Sequence, residues 1–383
     1  MLPASVVLKA QSGSYNLNFS LSASDFVDTV DISIASGRVI VPVEMNGRQY
    51  RFMFDTGAAQ AIIYEDSNIE GCRSAGTILS LDAIGNRQSV PLVKLPTMTI
   101  GSVRFQGCQA TLHQRPKGRH EFDGIIGFDL ICKGVAMKID VQNKRLVMTD
   151  RKNYFNSETG FESKYRVRSD CHTPYVEVSP FRGYREEVLF DTGSRNIYAI
   201  NKRSFDKALP ACNKQRPAQI EGRAIGSFAV GLHGQEKASE VVFLGIDCLI
   251  WGDFGFQRLE TKTTQGGSHL GAGVLAYGSL TFLPHKKKVR FQPYKGGSNV
   301  LVGNEQEEKV IVNKDGKPVV AFVWPKSDAF KAGLREGDVI LKADGHVFRT
   351  FDDFKRFRYL IGHVYTFVTR DRRGMNKEVK MKW

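Results

Sequence analysis

Two aspartates stand in the same short sequence, and this repetition is the first indication of chemistry in the chain. Asp55 begins Asp-Thr-Gly-Ala after the apolar residues 52–54, and Asp191 begins Asp-Thr-Gly-Ser after residues 188–190. The residues that follow the two aspartates form matching sets: Thr56, Gly57 and Ala58, and Thr192, Gly193 and Ser194. A single Asp-Thr-Gly is typical of an ordinary turn. Its return with matching neighbours predicts two equivalent sites.

Paired carboxyl groups can hydrolyse an amide without a metal or a covalent intermediate. Two carboxyls a few ångström apart cannot both ionise cheaply, so they share one proton. The ionised group is then a base for water, and the protonated one is an acid for the carbonyl oxygen. Ser194 has a hydroxyl that Ala58 lacks. We therefore expect Ser194 to donate a hydrogen bond to an ionised Asp191, and Asp55 to hold the shared proton.

The segments around the two aspartates also repeat. Residues 38–54 alternate as two strands joined by the hairpin turn Asn46-Gly47, and residues 175–190 predict a second strand, turn and strand. Downstream motifs recur in pairs: Ala83, Ile84 and Gly85 with Ala224, Ile225 and Gly226, and residues 124–130 with residues 273–280. This order indicates one duplicated unit folded into two lobes.

Over roughly residues 30–295 the chain resembles the two-lobed aspartic proteases of the broad pepsin and retropepsin group. The resemblance implies a mainly β, two-lobed β-barrel fold with an internal pseudo-twofold repeat. It implies that Asp55 and Asp191 form a catalytic dyad and that Thr56 and Thr192 brace it, with support from Gly57, Ala58, Gly193 and Ser194. One departure is Ala276, which stands where the family pattern has Gly.

A hairpin at residues 79–93 has Gly85-Asn86 at its tip. In the family, a hairpin at this place folds over the substrate as a flap, although an ordinary surface hairpin fits the sequence equally well. The flap or substrate-binding candidates are Ala83, Ile84, Gly85, Ala224, Ile225 and Gly226. No Tyr lies between residues 66 and 111. Pepsin-type members of the family have a tyrosine in the flap, so the resemblance is to the simpler organisation of the retropepsins.

The C-terminal part resembles a PDZ domain of the bacterial, circularly permuted kind, through Ser327-Asp-Ala-Phe-Lys-Ala-Gly-Leu and Gly337-Asp-Val-Ile. PDZ domains bind peptide ends by strand addition, but the acidic residues 305–308 should repel a carboxylate. A scaffolding or substrate-guiding module is therefore expected. The predicted segments are an N-terminal extension (1–30), lobe 1 (31–150), a connection (151–165), lobe 2 (166–295), a linker (296–308) and a small α+β PDZ-like domain (309–383).

Composition adds limits rather than a function. The chain has 383 residues, 42% hydrophobic residues and a net charge of +14, which is ordinary for a globular protein apart from the charge. No apolar run is long enough to span a bilayer, and the six cysteines include no Cys-x-x-Cys pair. We expect no metal, no cofactor and no nucleic-acid partner. Residues 1–10 have no basic leader and no signal core, so either the protein is cytoplasmic or a leader is absent from this sequence. The resemblance to exported proteins of this type favours an extracytoplasmic location: periplasmic, secreted or surface-attached.

The leading interpretation is an aspartic endopeptidase that binds an extended protein or peptide substrate between its lobes. The alternative is a catalytically inactive peptide-binding protein with the same fold and a PDZ-like module that binds a protein partner. A basic nucleic-acid-binding protein is a third possibility, and it would show strongly salt-dependent affinity.

Overall fold

The structure is a computed structural model that describes residues 15, 17–82, 85–115, 121–211, 219–226, 230–232, 234–235, 237, 239–302, 309–324, 327–360 and 362–383. Strands dominate it, so the prediction of a mainly β fold is confirmed. The strands form one sheet in the first lobe, a larger sheet that runs through the second lobe, a short two-stranded hairpin, and a separate sheet in the C-terminal domain.

The elements of the first lobe are β1 (Ser20–Leu21), β2 (Val27–Asp31), β3 (Ser33–Ala35), β4 (Arg38–Met45), β5 (Arg48–Phe54), β6 (Ala61–Tyr64), β7 (Arg73–Leu81), β8 (Arg87–Lys94), β9 (Met98–Ile100), β10 (Val103–Gln106), β11 (Gln109–His113), β12 (Gly124–Ile126), α1 (Asp129–Cys132), β13 (Ala136–Asp140) and β14 (Arg145–Thr149).

The elements of the second lobe are β15 (Phe161–Val167), β16 (Pro174–Phe181), β17 (Tyr184–Asp191), β18 (Tyr198–Asn201), α2 (Lys202–Ala211), β19 (Ile220–Gly226), β20 (Val230–Gly231), β21 (Gly234–Gln235), β22 (Ser239–Trp251), β23 (Phe254–Thr264), β24 (His269–Gly271), β25 (Gly278–Leu283), β26 (Lys288–Pro293) and β27 (Asn299–Leu301). Those of the C-terminal domain are β28 (Lys309–Lys314), β29 (Lys317–Val323), α3 (Asp328–Lys331), β30 (Val339–Ala343), β31 (His346–Val347), α4 (Phe351–Arg356), β32 (Val364–Arg370) and β33 (Asn376–Lys382).

The two lobes repeat one strand order. In the first lobe, β12 lies between β5 and β6, parallel to β5 and antiparallel to β6. In the second, β24 lies between β17 and β18 with the same directions. The whole order β4-β5-β12-β6-β11-β8-β7 is matched by β16-β17-β24-β18-β23-β22-β19. The duplication that the sequence predicts is therefore present in the strand connections.

Local sequence explains the hairpin that leads to the first aspartate. β4 and β5 pair from Ile40↔Met53 to Met45↔Arg48. The turn between them is Asn46-Gly47, with φ of +52° and +74°. Asn and Gly adopt this left-handed region at little cost, and the resulting turn matches the twist of paired strands. The apolar residues of β5 then lie in the core, where Phe52 and Phe54 are almost fully buried.

A shared part of the large sheet joins the lobes. β13 of the first lobe pairs with β25 of the second, for example at Ile139↔Leu280. β2 pairs with β14 on one side, and β15 pairs with β26 on the other. β2 thus places part of the predicted N-terminal extension in the sheet, and β15 begins within the predicted connection 151–165. An added edge strand is one of the two interpretations that the weak alternation of residues 1–30 allows, whereas the polar residues 151–165 predict a connection only.

The segment after the second lobe is also partly ordered. β27 pairs in parallel with β23, and the Val302 amide donates to the Gln257 carbonyl at 2.9 Å. Part of the predicted linker 296–308 is therefore an added strand of the second-lobe sheet. Residues 303–308, which include the acidic loop, lie outside the described residues.

The C-terminal domain has its own core and a capped helix. Thr350 and Asp353 form a capping box at the start of α4, and Phe354 is buried beneath it. The domain contacts the second lobe through stacked rings of Phe243 and Phe322, with centroids 3.9 Å apart, and Trp324 meets Phe243 edge-on at 5.1 Å. Among the described residues, no helix is long and apolar enough to cross a membrane.

Candidate active site

Asp55 and Asp191 occupy equivalent positions at the ends of their strands. The Asp55 amide donates to the carbonyl of Ile126 on the inserted strand β12 at 3.0 Å. Asp191, the last residue of β17, is paired with Gly271 of the inserted strand β24. Each inserted strand therefore fixes the backbone from which one carboxyl group projects.

A reciprocal set of hydrogen bonds ties the two aspartate loops together. The Thr56 amide donates to Thr192 Oγ1 at 3.0 Å, and the Thr192 amide donates to Thr56 Oγ1 at 3.1 Å. The Thr56 hydroxyl donates to the Phe190 carbonyl at 2.5 Å, and the Thr192 hydroxyl to the Phe54 carbonyl at 3.0 Å. Both threonines have no exposed surface. These four bonds lock the two lobes at the point where the carboxyls meet.

The glycines after each Asp-Thr bring the carboxyls face to face. The Gly57 amide donates to Asp55 Oδ1 at 2.8 Å, and the Gly193 amide to Asp191 Oδ1 at 2.9 Å. A Cβ at Gly57 would stand 2.7 Å from Asp191 Oδ1, and one at Gly193 would collide with the carboxylate of Asp55. Only glycine leaves room for the opposite carboxylate at either position.

The two carboxyl groups hydrogen-bond each other and affect each other's titration. Burial and the charge of Asp191 raise the pKa of Asp55 well above its usual range. Burial also raises the pKa of Asp191. Its hydrogen bond with Asp55, the amides of Gly193 and Ser194, and the charge of Arg38 act in the opposite direction. Asp191 is thus the member favoured to ionise, and Asp55 the member favoured to hold the proton.

Ser194 also favours an ionised Asp191, but through its backbone amide and not through its hydroxyl. Its hydroxyl lies 3.0 Å from His269 Nε2, and its backbone amide donates to Asp191 Oδ1 at 3.2 Å. The expectation that the Ser194 hydroxyl donates a hydrogen bond to Asp191 is therefore wrong, because this hydroxyl is hydrogen-bonded to His269. His269 was not predicted from the sequence; it lies at the strand position equivalent to the apolar Ile125 of the first lobe.

The expected equivalence of residues 124–130 and 273–280 is also wrong by several residues. Strand pairing makes Ile126 equivalent to Leu270, and Gly127 to Gly271. A Cβ on either glycine would collide with backbone, at Gln60 in the first lobe and at Asn196 in the second. The required glycine is therefore present, and Ala276 is no departure at all; it lies in a 3-10 turn beyond the inserted strand.

The hairpin of β7 and β8 has the predicted tip. The Gly85 amide donates to the Asp82 carbonyl at 3.0 Å, and Gly85 has a φ of +87°. Ala83 and Ile84 lie outside the described residues. In the second lobe, by contrast, Ala224, Ile225 and Gly226 belong to β19 and pair with β22. They are not at a hairpin tip, because the β19–β22 connection is longer and carries the β20–β21 hairpin.

That hairpin makes a contact that the sequence did not indicate. Leu232, between β20 and β21, packs against an apolar cluster of the first lobe that includes Met53 and Ile125, beside Ala58. A side chain of the second lobe thus reaches the first lobe next to the Asp55 loop.

Cysteines and metal-binding groups add no second site in the described part of the chain. Cys72, Cys108, Cys132, Cys171 and Cys248 are free thiols, and Cys212 lies outside that part. The described residues include no group of three or more His, Cys, Asp or Glu placed to hold a metal ion.

Comparison with known proteins gives a family match for part of the first lobe. Residues 41–130, about a quarter of the chain, match the aspartyl protease family model. A stretch of 40 residues is 55% identical to a protein of Rhizobium meliloti (strain 1021) named as a zinc metalloprotease, over 10% of this chain and 11% of that protein. The chain thus spans about a tenth of that relative. Among solved structures, the aspartic proteinase from Irpex lacteus aligns with a TM-score of 0.46 and 11% identity, covering 70% of this chain and 97% of that chain.

The family match runs from within β4 to within α1 of the first lobe, and the second lobe repeats the strand order of the first. The chain is therefore similar to the aspartyl protease family over residues 41–130, within a mainly β, two-lobed fold.

Proposed function

We propose that the chain is an aspartic endopeptidase, with Asp55 and Asp191 as its catalytic pair. The observation that carries this proposal is the reciprocal Thr56–Thr192 hydrogen bonding, which holds two hydrogen-bonded carboxyls between the lobes. A binding protein has no need to bury two acids against each other, because doing so raises the pKa of both.

The geometry suits a water attack with one base and one acid. Ionised Asp191 takes a proton from water as the water oxygen bonds to the scissile carbonyl carbon, and Asp55 gives its proton to the carbonyl oxygen. Asp191 then gives the proton that it took from water to the amide nitrogen, and Asp55 takes a proton back from one hydroxyl of the tetrahedral intermediate. The carbon–nitrogen bond breaks as the carbonyl reforms, which releases the amine and the carboxylic acid and restores the pair. The amides of Gly193 and Ser194, both bonded to Asp191 Oδ1, favour the ionised state from which the cycle starts.

Three further proposals concern the setting of this activity. Strands β28–β33 with the capped helix α4 support a PDZ-like module of the bacterial, permuted type, which would guide substrate or bind a protein partner. The β7–β8 hairpin is proposed as a flap over the substrate. An extracytoplasmic location is proposed on the resemblance to exported proteins of this type.

Digestion of a reduced, unfolded protein mixture by the full chain tests the catalytic proposal. We expect cleavage products from the wild-type protein and none from Asp55→Asn or Asp191→Asn. Asp315→Asn is the matched control, because Asp315 is exposed in a hairpin turn of the C-terminal domain and its variant should cleave normally. Pepstatin should inhibit the reaction.

The same experiment separates the enzyme from an inactive peptide-binding protein. Peptide binding without cleavage over the acidic and neutral pH range would support the binding protein. The departure from the family pattern at Ala276 does not favour the binding protein, because Gly271 fills the role of the expected glycine.

A further inference from the structure

A cavity of about 540 Å³ lies where the first lobe, the second lobe and the C-terminal domain meet. Its wall includes Gly37 of the first lobe, Arg195 of the second, and Val310 and Trp324 of the C-terminal domain. Its size is in the range of small-molecule and peptide-side-chain sites, roughly 300–1,000 Å³. The active-site loop forms part of this wall, since Arg195 is four residues after Asp191.

The charge of the cavity is one-sided. Arg195 and Lys262 are in its lining, and none of the described lining residues is acidic. The Arg195 side chain packs across Gly37. The guanidinium makes no hydrogen bond or ion pair with any residue in the described ranges, so it is available to a ligand. A carboxylate is the natural partner of such a group.

Trp324 supplies an unmatched donor. It is only 5% exposed, it lines the cavity, and its Nε1–H donates to no acceptor among the described residues. Buried tryptophan N–H groups usually find a partner, because leaving one unpaired is unfavourable. The rest of the wall is largely apolar, with Val39, Leu275 and Val302 among its residues.

We propose that this cavity is a substrate subsite that selects an acidic residue next to an apolar one, with the C-terminal domain as part of its wall. The inference rests on the proposed protease function. Arg195 reads the carboxylate of a peptide held in the cleft, the Trp324 N–H binds a peptide oxygen, and the apolar wall takes the neighbouring side chain. Charge complementarity favours an acidic peptide over a neutral one.

The test begins with mapping of the cleavage sites in a proteome-derived peptide mixture, which shows the substrate position that is most often acidic. Two synthetic peptides are then compared that differ only in having Glu or Gln at that position. We expect the wild-type protein to have about fivefold higher kcat/KM for the Glu peptide, in line with a partly exposed ion pair. Arg195→Gln should remove this preference and Arg195→Glu should reverse it. Arg182→Gln, a change at an exposed arginine in the β16–β17 turn, should keep it.

Trp324→Phe keeps an aromatic ring but removes the N–H donor and part of the indole. We expect about a fivefold higher KM with unchanged kcat on both peptides, together with somewhat lower thermal stability, because the smaller ring leaves space beside Phe243 and Phe322. A change in stability with no change in KM would overturn the role of Trp324. A Glu:Gln ratio equal in wild type and Arg195→Gln would overturn the subsite.

Binding of the same peptide mixture to immobilised Asp55→Asn protein separates the two proposals. If acidic peptides are enriched on the Asp55→Asn protein but not on the double variant Asp55→Asn, Arg195→Gln, the subsite is supported. This holds even if the wild-type chain cleaves nothing, a result that overturns only the protease proposal. Dodecanoate, which has a carboxylate and an apolar chain, tests whether the cavity takes a fatty acid instead of a peptide. If dodecanoate binds in a way that depends on Arg195, and peptides show no charge preference, the assignment of the cavity to a peptide is overturned.

Discussion

Replacing Thr192 by valine tests how strongly the two aspartate loops depend on each other. Valine has nearly the same shape, but the variant loses the acceptor for the Thr56 amide and the donor to the Phe54 carbonyl, both at 3.0 Å. Both lost partners are at a buried contact, since neither threonine is exposed. A buried polar group left unpaired costs about 1–3 kcal/mol. Thr192→Val should therefore lower the free energy of unfolding by roughly 2–5 kcal/mol.

Urea unfolding followed by circular dichroism measures this change. Thr56→Val should cost a similar amount, and the double variant should cost less than the sum by about 0.5–3 kcal/mol, because the two hydroxyls belong to one network. Thr369→Val is the matched control. Thr369 is equally buried, but its hydroxyl has no partner in the described residues, so its replacement should be neutral or stabilising.

The refuting result is simple to recognise. If Thr192→Val unfolds within about 0.5 kcal/mol of the wild-type protein and retains full peptide cleavage, the hydrogen bonds between the loops do not position the carboxyls. Thr192→Ser, which keeps the hydroxyl, should restore most of the lost stability.

Three further predictions concern single side chains. Arg38→Met removes a positive charge that lowers the pKa of Asp191, so the acid limb of the kcat/KM profile should move to higher pH; an unmoved limb would show that Arg38 does not act on the pair. Burial raises the pKa of Asp129 from 3.8 to about 7, so this group stabilises the fold below pH 4 and that contribution is lost as pH rises to 7. Relative to Asp129→Asn, the wild-type protein should lose roughly 4 kcal/mol over this window in urea unfolding, and a constant difference would contradict the assignment. Phe243→Ala removes the stack with Phe322 and should weaken domain docking by about 3–5 kcal/mol, seen as a separate C-terminal transition in calorimetry, whereas a single unchanged transition would count against the contact.

The aspartate loops were predictable because their residues are constrained locally. Gly57 and Gly193 are needed for close approach, and apolar strands must precede them. Such constraints appear directly in the sequence, so the strand, the turn and the facing loops follow from it. The mainly β class and the two-lobed duplication followed from the same repeats.

The second inserted strand was missed for a physical reason. Its sequence, His269-Leu270-Gly271, breaks the apolar pattern of Ile125-Ile126-Gly127, because His269 bonds to Ser194 instead of filling an apolar contact. Only the pairing of β24 with β17 reveals the equivalence. The triplets Ala83-Ile84-Gly85 and Ala224-Ile225-Gly226 show the reverse case. Their sequences are alike, but the second triplet lies within β19 and not at a hairpin tip.

Long-range packing was the other part that sequence did not show. Gly296-Gly297-Ser298 is typical of a flexible linker, yet β27 follows at once and is fixed by pairing with β23. The docking of Phe322 and Trp324 on Phe243 joins residues about 80 positions apart. Side chains of this kind are compatible with any buried surface, so their partners cannot be read from composition or periodicity.

The docking of aromatic rings of the C-terminal domain on the second lobe has a consequence for direction. Two copies of one unit, related by a near-twofold axis, would present the same surroundings to a polypeptide whichever way it ran. Phe243 has the C-terminal domain beside it, in an apolar cluster whose described residues all belong to the second lobe and to that domain. The two lobes thus present different surfaces to a polypeptide bound between them, so the two orientations of that polypeptide would not be equivalent.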